Sequence, residues 1–323
     1  MISVILPVYN SSEYISQSVK SILDQTFNDF EIIIINDGST DNSEEKILAI
    51  KDPRITYHKL AHQGLSKVLN YGISIAKYDI IARMDADDIA LPDRFEKQLN
   101  VMRNNPELDI ISCWYAMFTE KGIRYIVKTP EKSSRIEKDL LLYSQISHPG
   151  ILAKKDLFFK HGMFTGGAFG DYELWLSFKG KVIFYNLQEV LMLQRFRTDS
   201  LSRNDICQRY KEHYEIQAPY YSDLQKSFGI IKTDEQNYYR GWREYLYGER
   251  SRARKYWNLS GLKIIYFPKV IIAYIISFLP QQLFIKVKEN RIRFRLEYYL
   301  EFFKEENYAC RKYFKINNAQ REA

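Results

Sequence analysis

The 323-residue sequence predicts an α/β fold: a mostly parallel central sheet flanked by helices, followed by a mainly helical C-terminal extension. Two observations support this fold class. In the first 120 residues, short apolar runs alternate with segments whose apolar residues recur at helical spacing. The run 30–35 also contains four consecutive isoleucines. A segment that is apolar on both faces is typical of a central strand in a parallel sheet.

The elements of the first half follow one another in regular alternation. We predict strands at 3–7, 30–35, 54–59, 78–84 and 108–114. Helices are predicted to begin near Ser11 or Ser12, near Asp41 or Ser43, at Gly64 and at Pro92. Serine and aspartate are favoured helix N-caps, and proline is tolerated in a first turn. This alternation predicts parallel strands joined by right-handed crossovers.

The alternation weakens beyond about residue 120. We predict a strand at 146–153, a helix at 171–179, a strand at 182–185 and mainly helical structure from Asn204 onward. The chain is therefore divided into a domain of residues 1–203, with halves 1–115 and 116–203, and an extension of residues 204–323.

Charge is unevenly distributed along the chain. Residues 240–323 hold 18 Lys and Arg but 8 Asp and Glu, a net charge of +10, whereas the other 239 residues hold 29 basic and 32 acidic side chains, a net charge of −3. Such a basic segment suits an anionic membrane surface or nucleic acid, although a solvated helical face explains the same charges.

The most apolar part of the extension, 264–285, contains Pro280 and lacks the ~20 apolar residues that a spanning helix needs. In the following segment, 291–304, apolar residues recur at helical spacing. An in-plane interfacial helix and a helical hairpin packed on the domain or on a second subunit both explain this pattern. A homo-oligomer formed through the C-terminal helices is therefore one expectation.

The cysteine pattern and the N-terminus indicate the compartment. Cys113, Cys207 and Cys310 are far apart and odd in number, which argues against a disulfide framework or a zinc site. Because the first residues carry no basic segment, we expect no signal peptide. Both observations favour a reducing, cytoplasmic setting.

Three polar motifs follow predicted strands, at the edge where open α/β sheets bind ligands. They are Pro7-Val8-Tyr9-Asn10, Asn36-Asp37-Gly38-Ser39 and Asp85-Ala86-Asp87-Asp88. The chain has no glycine-rich phosphate loop, so carboxylates and a metal would have to hold a nucleotide here. Acidic turns are also common on protein surfaces, so an Asp-x-Asp alone is weak support for a metal site.

The three motifs and the strands before them, taken together, give a more specific prediction. Residues 4–10 (VILPVYN), 34–41 (IINDGSTD) and 81–88 (IARMDADD) resemble, in order and separation, the hallmark blocks of glycosyltransferase family 2. That family has the GT-A fold and transfers sugars from nucleotide donors, mostly UDP-linked, with inversion at the anomeric carbon. The resemblance implies that residues 1–115 bind the nucleotide-sugar and that residues 116–203 form the acceptor half.

The resemblance assigns roles to matching residues. Asp37 would bond the uracil, Asp85 would contact the ribose, and Asp87 would bind Mn²⁺ or Mg²⁺ against the diphosphate. The role of Asp88 stays open. The full donor-binding set is Pro7, Val8 and Tyr9 around the base, Asp37, Arg83 near the diphosphate, Asp85, Ala86 and Arg197.

The acceptor half carries a second block. Residues 171–176 (DYELWL) resemble the family's Glu-Asp-Tyr-x-Leu-Trp motif, in which the aspartate is the general base. Asp171 takes that position, and Gly170 stands where glutamate is usual. An aspartate of ordinary pKa, ~3.9, is ionised at neutral pH but is a weak base, which implies late proton transfer. Tyr172, Trp175 and His148 are expected on the acceptor side.

Residues 195–202 (RFRTDSLS) resemble the family's Arg-x-His-x-x-Ser-x-Ser loop, which folds over the diphosphate. Arg197 replaces a histidine that can ligate the metal in some relatives. Arginine stays protonated and offers no lone pair. We therefore expect Asp87, water and the diphosphate to hold the metal, with Arg197 contacting phosphate.

Taken together, the sequence predicts a metal-dependent glycosyltransferase at the inner face of the cell membrane. It would build a surface polysaccharide or glycan on a glycan or polyprenyl-linked oligosaccharide acceptor. A sugar nucleotidyltransferase is an alternative, but it would need a glycine-rich basic loop near the N-terminus. A nucleic-acid-binding protein is a second alternative. No nucleic-acid partner is expected, because no recognition motif occurs and the predicted cleft is acidic.

Overall fold

The computed structural model describes residues 1–120, 122–166, 170–197, 206–222 and 233–259. Two predicted features lie outside these residues: the 198–202 part of the phosphate loop, and the apolar and basic segments between 264 and 304. The statements below concern the described residues.

The first half of the domain is the predicted parallel sheet. Its strands are β1 (Ile2–Val8), β2 (Phe30–Asp37), β3 (Ile55–Leu60) and β4 (Ile80–Arg83), and its helices are α1 (Ile15–Leu23), α2 (Ser43–Ala49) and α3 (Leu65–Ile75). The strand order is β3-β2-β1-β4, with every pairing parallel. Every residue of β1 and β2 is buried, as the apolar runs 4–8 and 32–35 within them predict. The carboxyl ends of these strands therefore share one edge.

The second half continues the same sheet with mixed strand directions. It contains β5 (Ile89–Ala90), α4 (Arg94–Asn104), β6 (Ile110–Thr119), β7 (Gly122–Val127), α5 (Ser133–Asp139), β8 (Leu152–Lys154), α6 (Asp156–His161), α7 (Gly170–Phe178) and β9 (Phe184–Arg195). The order continues β4-β8-β6-β9-β5, and β7 pairs with β6. The α/β fold class is confirmed. Antiparallel pairing by β5, β7 and β8 makes this half mixed.

The predicted strand at 146–153 is shorter than expected. Its first part is a single 3-10 turn, His148–Gly150, and only Leu152–Lys154 joins the sheet as β8. Pro149 explains the difference, since proline lacks the N–H that a central strand must donate. This turn places His148 next to β4 and β6.

Three helices of the extension are described: α8 (Ile206–Ser222), α9 (Thr233–Tyr247) and α10 (Arg250–Leu259). They agree with the predicted helical character. Helix α8 packs on the domain, where the Tyr221 hydroxyl donates to the Leu141 carbonyl (2.9 Å). Among the described helices, none is long and apolar enough to cross a bilayer.

Candidate active site

The loops after β1 and β2 are tied together. Asn10, with φ of +46°, accepts a hydrogen bond from the Thr40 amide on its side-chain oxygen (2.8 Å), and its own amide donates to the Ser39 hydroxyl (3.0 Å). The Ser12 amide donates to the Asp41 carboxylate (2.9 Å). These bonds hold the two strand ends that the sequence predicts around a nucleotide base.

Asp37 and Tyr9 mark the predicted base pocket. The buried Asp37 carboxylate accepts bonds from the amides of Gln63 (2.8 Å) and Gly64 (3.0 Å). A carboxylate has about four acceptor positions, so capacity for a base N–H remains. His62 stacks on the exposed Tyr9 ring, with centroids 4.3 Å apart, and its Nδ1 lies 3.0 Å from Asp37 Oδ2. The sequence reasoning missed His62, which follows β3 at the same sheet edge.

Pro7 and Val8 are buried within β1. Neither side chain is exposed to a ligand, whereas the exposed Tyr9 ring presents a surface that a base can contact. Of the three residues predicted to line the base pocket, only Tyr9 is exposed.

The acidic motif forms a compact cluster. Asp85, Asp87 and Asp88 each place one carboxylate oxygen within 4.8 Å of the others. The Ser18 hydroxyl donates to the Asp85 carbonyl (2.8 Å), which fixes the turn after β4, and Ala86 is buried within it. Three carboxylates this close repel one another unless protons or a cation offset their charge.

The three carboxylates have different surroundings. Arg83 engages both oxygens of Asp85, at 2.7 and 2.5 Å. The buried Asp88 accepts from the Arg195 amide (2.9 Å), and burial together with the charges of Asp85 and Asp87 raises its pKa. This bond gives Asp88, whose role the sequence left open, a link to β9.

Asp87 is the member best placed for a cation. Its side chain is 27% exposed, and Arg197 Nη1 lies 3.7 Å from its Oδ2. Burial and the Asp85 charge raise the pKa of Asp87 to about 6, against the opposing charge of Arg197. Carboxylate oxygens are the ligands that Mg²⁺ and Mn²⁺ prefer. The cluster therefore fits a divalent cation. Asp87 is its expected ligand, because Asp85, although 33% exposed, is paired at both oxygens with Arg83.

The end of β9 closes over this cluster. The Arg195 guanidinium donates to the Asp87 carbonyl (3.0 Å) and to the Gln17 side chain (2.8 Å), and it lies 4.4 Å from the centre of the Tyr14 ring. Arg195 thus joins the end of β9 to the acidic turn and to α1. Arg197 is the cation that faces the Asp87 carboxylate. The sequence reasoning assigned no role to Arg195.

Asp171 lies in the first turn of α7, with Oδ2 3.7 Å from His148 Nδ1. Desolvation by the surrounding protein raises the pKa of Asp171, although bonding to the Tyr172 amide and the charge of Arg83 oppose the shift. Asp171 is therefore a stronger base than the ordinary aspartate expected from sequence. Sterics explain why glycine and not glutamate occupies position 170, because a Cβ there would collide with the Thr165 carbonyl oxygen.

His148 is buried against aromatic rings beside Asp171. Its ring centroid lies 5.0 Å from that of Phe164 and 5.8 Å from that of Trp175. Burial and the charge of Arg83 hold its pKa well below the usual value, so the ring is neutral at pH 7. Its Nε2 is buried and lacks a hydrogen-bond partner in the described structure. The structure thus places His148 beside Asp171, and its role on the acceptor side stays a prediction.

Tyr172 and Trp175 require a correction. Both are buried, with 1% and 0% of their surface exposed, so neither offers a surface to an acceptor. The Tyr172 hydroxyl donates to the Leu140 carbonyl (2.5 Å) and accepts from Gln217 of α8 (2.9 Å). Because α7 turns these side chains into the core, they support Asp171 from behind.

Arg83 links the acidic cluster to Asp171 and His148. It pairs with Asp85, and its charge lowers the pKa of both Asp171 and His148. The fully buried Arg94 holds this strand end by donating to the carbonyls of Arg83 (2.9 Å) and Ile151 (3.1 Å). The acidic cluster and Asp171 therefore lie around one buried cation.

Replacing Arg83 with glutamine is expected to move the acidic limb of the kcat–pH profile to higher pH. The base must be deprotonated to act, and loss of the Arg83 charge removes an influence that lowers the pKa of Asp171. The profile should be measured at saturating donor and metal. Arg83→Lys, which keeps the charge, is the control. A limb that stays in place in Arg83→Gln would contradict this role.

Comparisons with known proteins identify the family of this chain. The family model described as glycosyl transferase family 2 matches residues 3–165. The O-antigen biosynthesis glycosyltransferase WbnJ of Escherichia coli is 36% identical over 213 residues, covering 63% of this chain and 83% of that protein. The amylovoran biosynthesis glycosyltransferase AmsE of Erwinia amylovora is 30% identical over 211 residues, covering 63% and 79%.

Solved structures share the fold at low sequence identity. Staphylococcus aureus TarS 1-349 in complex with UDP-GlcNAc has a TM-score of 0.56 and 17% identity, covering 85% of this chain and 81% of that one. The Pyrobaculum calidifontis mannosyltransferase PcManGT, in complex with GDP-Man and Mn²⁺, has a TM-score of 0.56 and 13% identity, covering 90% and 84%. With its matched sequence blocks, its GT-A-like sheet and its curated relatives, this chain belongs to glycosyltransferase family 2.

Proposed function

We propose that this glycosyltransferase is an inverting, metal-dependent enzyme that moves a sugar from a nucleotide-sugar, with a UDP-sugar favoured, to an acceptor hydroxyl. The observation that carries the proposal is the convergence of Asp171 and the acidic cluster around Arg83. A base and a diphosphate site within electrostatic range of one cation suit a displacement between the two.

The proposed displacement uses Asp171 as the general base. The acceptor oxygen attacks the anomeric carbon while the bond from that carbon to the β-phosphate oxygen breaks. The acceptor proton passes to the Asp171 carboxylate, and the bonding electrons leave with the nucleotide diphosphate. Attack opposite the leaving group inverts the anomeric configuration. The raised pKa of Asp171 brings the base closer to neutral pH, which favours proton transfer.

Protein groups also meet the leaving-group charge. When bound, a divalent cation held by Asp87 would supply Lewis-acid stabilisation of the diphosphate. Arg197, 3.7 Å from Asp87, is placed to donate to a phosphate oxygen beside it. The Asp37 and Tyr9 side chains would hold the base, which fixes the donor's other end.

The class of acceptor is proposed from the relatives. WbnJ is named for O-antigen biosynthesis and AmsE for amylovoran biosynthesis. We therefore propose a glycan or polyprenyl-linked oligosaccharide acceptor in surface polysaccharide synthesis. The family membership argues against the alternative of a sugar nucleotidyltransferase.

Replacing Arg197 with histidine is expected to lower the Mn²⁺ concentration that gives half-maximal activity. Histidine can donate a lone pair to the metal, whereas the arginine guanidinium cannot. Activity should be titrated with Mn²⁺ at a fixed saturating donor concentration. Arg197→Gln separates loss of the positive charge from gain of a ligand. An unchanged metal requirement and unchanged activity in Arg197→His would argue against the proposal that Asp87 binds the metal while Arg197 contacts the phosphate.

We also propose that residues beyond 259 hold the enzyme on the cytoplasmic face of an anionic membrane. Support comes from the net charge of +6 in residues 260–323, which hold 12 Lys and Arg but 6 Asp and Glu. The full chain should sediment with vesicles containing phosphatidylglycerol, and a chain ending at residue 259 should sediment less. Equal sedimentation of the two chains would refute this localisation.

A donor screen tests the proposed reaction. Purified protein with Mn²⁺ would be offered UDP-, GDP- and dTDP-sugars, and released nucleotide diphosphate would be measured. We expect turnover with at least one UDP-sugar and its loss on chelation with EDTA. Turnover that persists in EDTA would count against metal dependence, and turnover with GDP-sugars alone would count against the UDP assignment.

A further inference from the structure

A second pocket lies in the helical extension, separate from the candidate active site. It has a volume of about 240 Å³ and is lined by Tyr221 of α8, by Arg240, Arg243 and Glu244 of α9, and by Tyr256 of α10. Small-molecule sites usually measure roughly 300–1,000 Å³. The size of this pocket therefore suits one small charged group better than a whole nucleotide or oligosaccharide.

Arg243 is the most buried cation of this pocket, with 8% of its surface exposed. Its guanidinium contacts two rings, with its central carbon 3.7 Å from the centre of the Tyr214 ring and 4.7 Å from that of the Tyr221 ring. Its Nη2 donates to the Tyr214 carbonyl (2.7 Å), whereas its Nε is buried with no hydrogen-bond partner. A buried charge without a counter-ion is costly, so the position favours binding of an anion.

Arg240 lies three residues earlier on α9, on the neighbouring position of the same helix face. Its guanidinium is 5.9 Å from the centre of the Tyr256 ring. Within the described ranges, neither Arg240 nor Arg243 has a carboxylate oxygen within 4.0 Å. The pocket's own acid, Glu244, instead accepts bonds from the Tyr214 hydroxyl (2.7 Å) and the Glu249 amide (3.2 Å). The pocket thus holds two cations and one acid that is already engaged.

We propose that this pocket binds a phosphate group. The planar guanidinium of arginine matches phosphate oxygens in paired hydrogen bonds, and stacked rings hold Arg243 in a fixed orientation for such pairing. Tyr221 and Tyr256 also line the pocket, although the Tyr221 hydroxyl already donates to the Leu141 carbonyl. The phosphate could belong to a soluble phosphate or diphosphate, or to a phospholipid headgroup.

Calorimetric titration of the full chain tests this site. The ligands are inorganic phosphate, pyrophosphate and dihexanoyl phosphatidic acid below its micelle concentration, with acetate as a control anion. The variants are Arg240→Gln and Arg243→Gln. Arg252→Gln is the matched control, because Arg252 is an exposed arginine of α10 that pairs with Glu249 at 3.2 Å.

We expect saturable binding of at least one phosphate compound, weakened at least about tenfold in Arg240→Gln and Arg243→Gln but unchanged in Arg252→Gln. Tighter binding of the soluble anions would identify a free phosphate ligand, and tighter binding of the lipid would identify a headgroup. Circular dichroism checks folding. If Arg243→Gln fails to fold, the half-buried Arg240 decides the result. Equal affinities in wild type and Arg240→Gln, or no binding of any phosphate compound, would overturn the proposal.

Discussion

Replacing Asp171 with asparagine is expected to reduce sugar transfer by about 10²–10⁴-fold, the usual contribution of a general base. Asparagine keeps the size of the side chain but cannot take the acceptor proton. The 3.7 Å approach to His148 and the position in the first turn of α7 should survive the change. Initial rates of nucleotide release with donor and acceptor present measure the loss.

Glu173→Gln is the matched control for this variant. Glu173 lies on the same helix, but it accepts a hydrogen bond from the Thr165 hydroxyl and is not paired with His148. Its replacement should leave the transfer rate within a few fold of wild type. If Asp171→Asn kept full activity, or if both variants lost activity equally, Asp171 would not be the base.

Replacing Asp87 with asparagine is expected to reduce activity by about 10²–10³-fold, the scale seen when one group that stabilises transition-state charge is removed. The loss should appear in donor binding as well as in turnover, because Asp87 is the expected metal ligand of the cluster and lies 3.7 Å from Arg197. Activity as a function of Mn²⁺ and donor concentration separates the two effects.

Asp93→Asn is the control for the acidic stretch. Asp93 is only six residues further along the chain and pairs with Lys97 at 2.8 Å, on the exposed start of α4. Its removal should change neither the activity nor the metal requirement. An Asp87→Asn enzyme with a wild-type metal requirement would place the metal elsewhere.

Much of the first half could be predicted from the sequence for a physical reason. Strands β1 and β2 are buried on both faces, so their apolar runs report the sheet directly. The polar residues that end these strands then share one edge, which brings Asp37 and the acidic cluster together. The second half was less predictable, because β5 has two residues and β8 three, too short for a periodic pattern.

The supporting groups of the site could not be predicted for a different reason. Arg94 contacts the Ile151 carbonyl, and Arg195 contacts the Asp87 carbonyl, across 57 and 108 residues of sequence. Such side-chain-to-backbone bonds leave no local pattern. Tyr172 shows a second limit, because the motif that contains it gives no indication that its ring turns toward α8.

The most direct test of the division of roles between the two aspartates is a calorimetric titration of UDP with Mn²⁺ into wild type, Asp171→Asn and Asp87→Asn. We predict that Asp171→Asn binds UDP with wild-type affinity although its transfer rate is lost, whereas Asp87→Asn binds at least about tenfold more weakly. Wild-type UDP affinity in Asp87→Asn, or loss of UDP binding in Asp171→Asn, would contradict the assignment of Asp87 to the donor and Asp171 to the base.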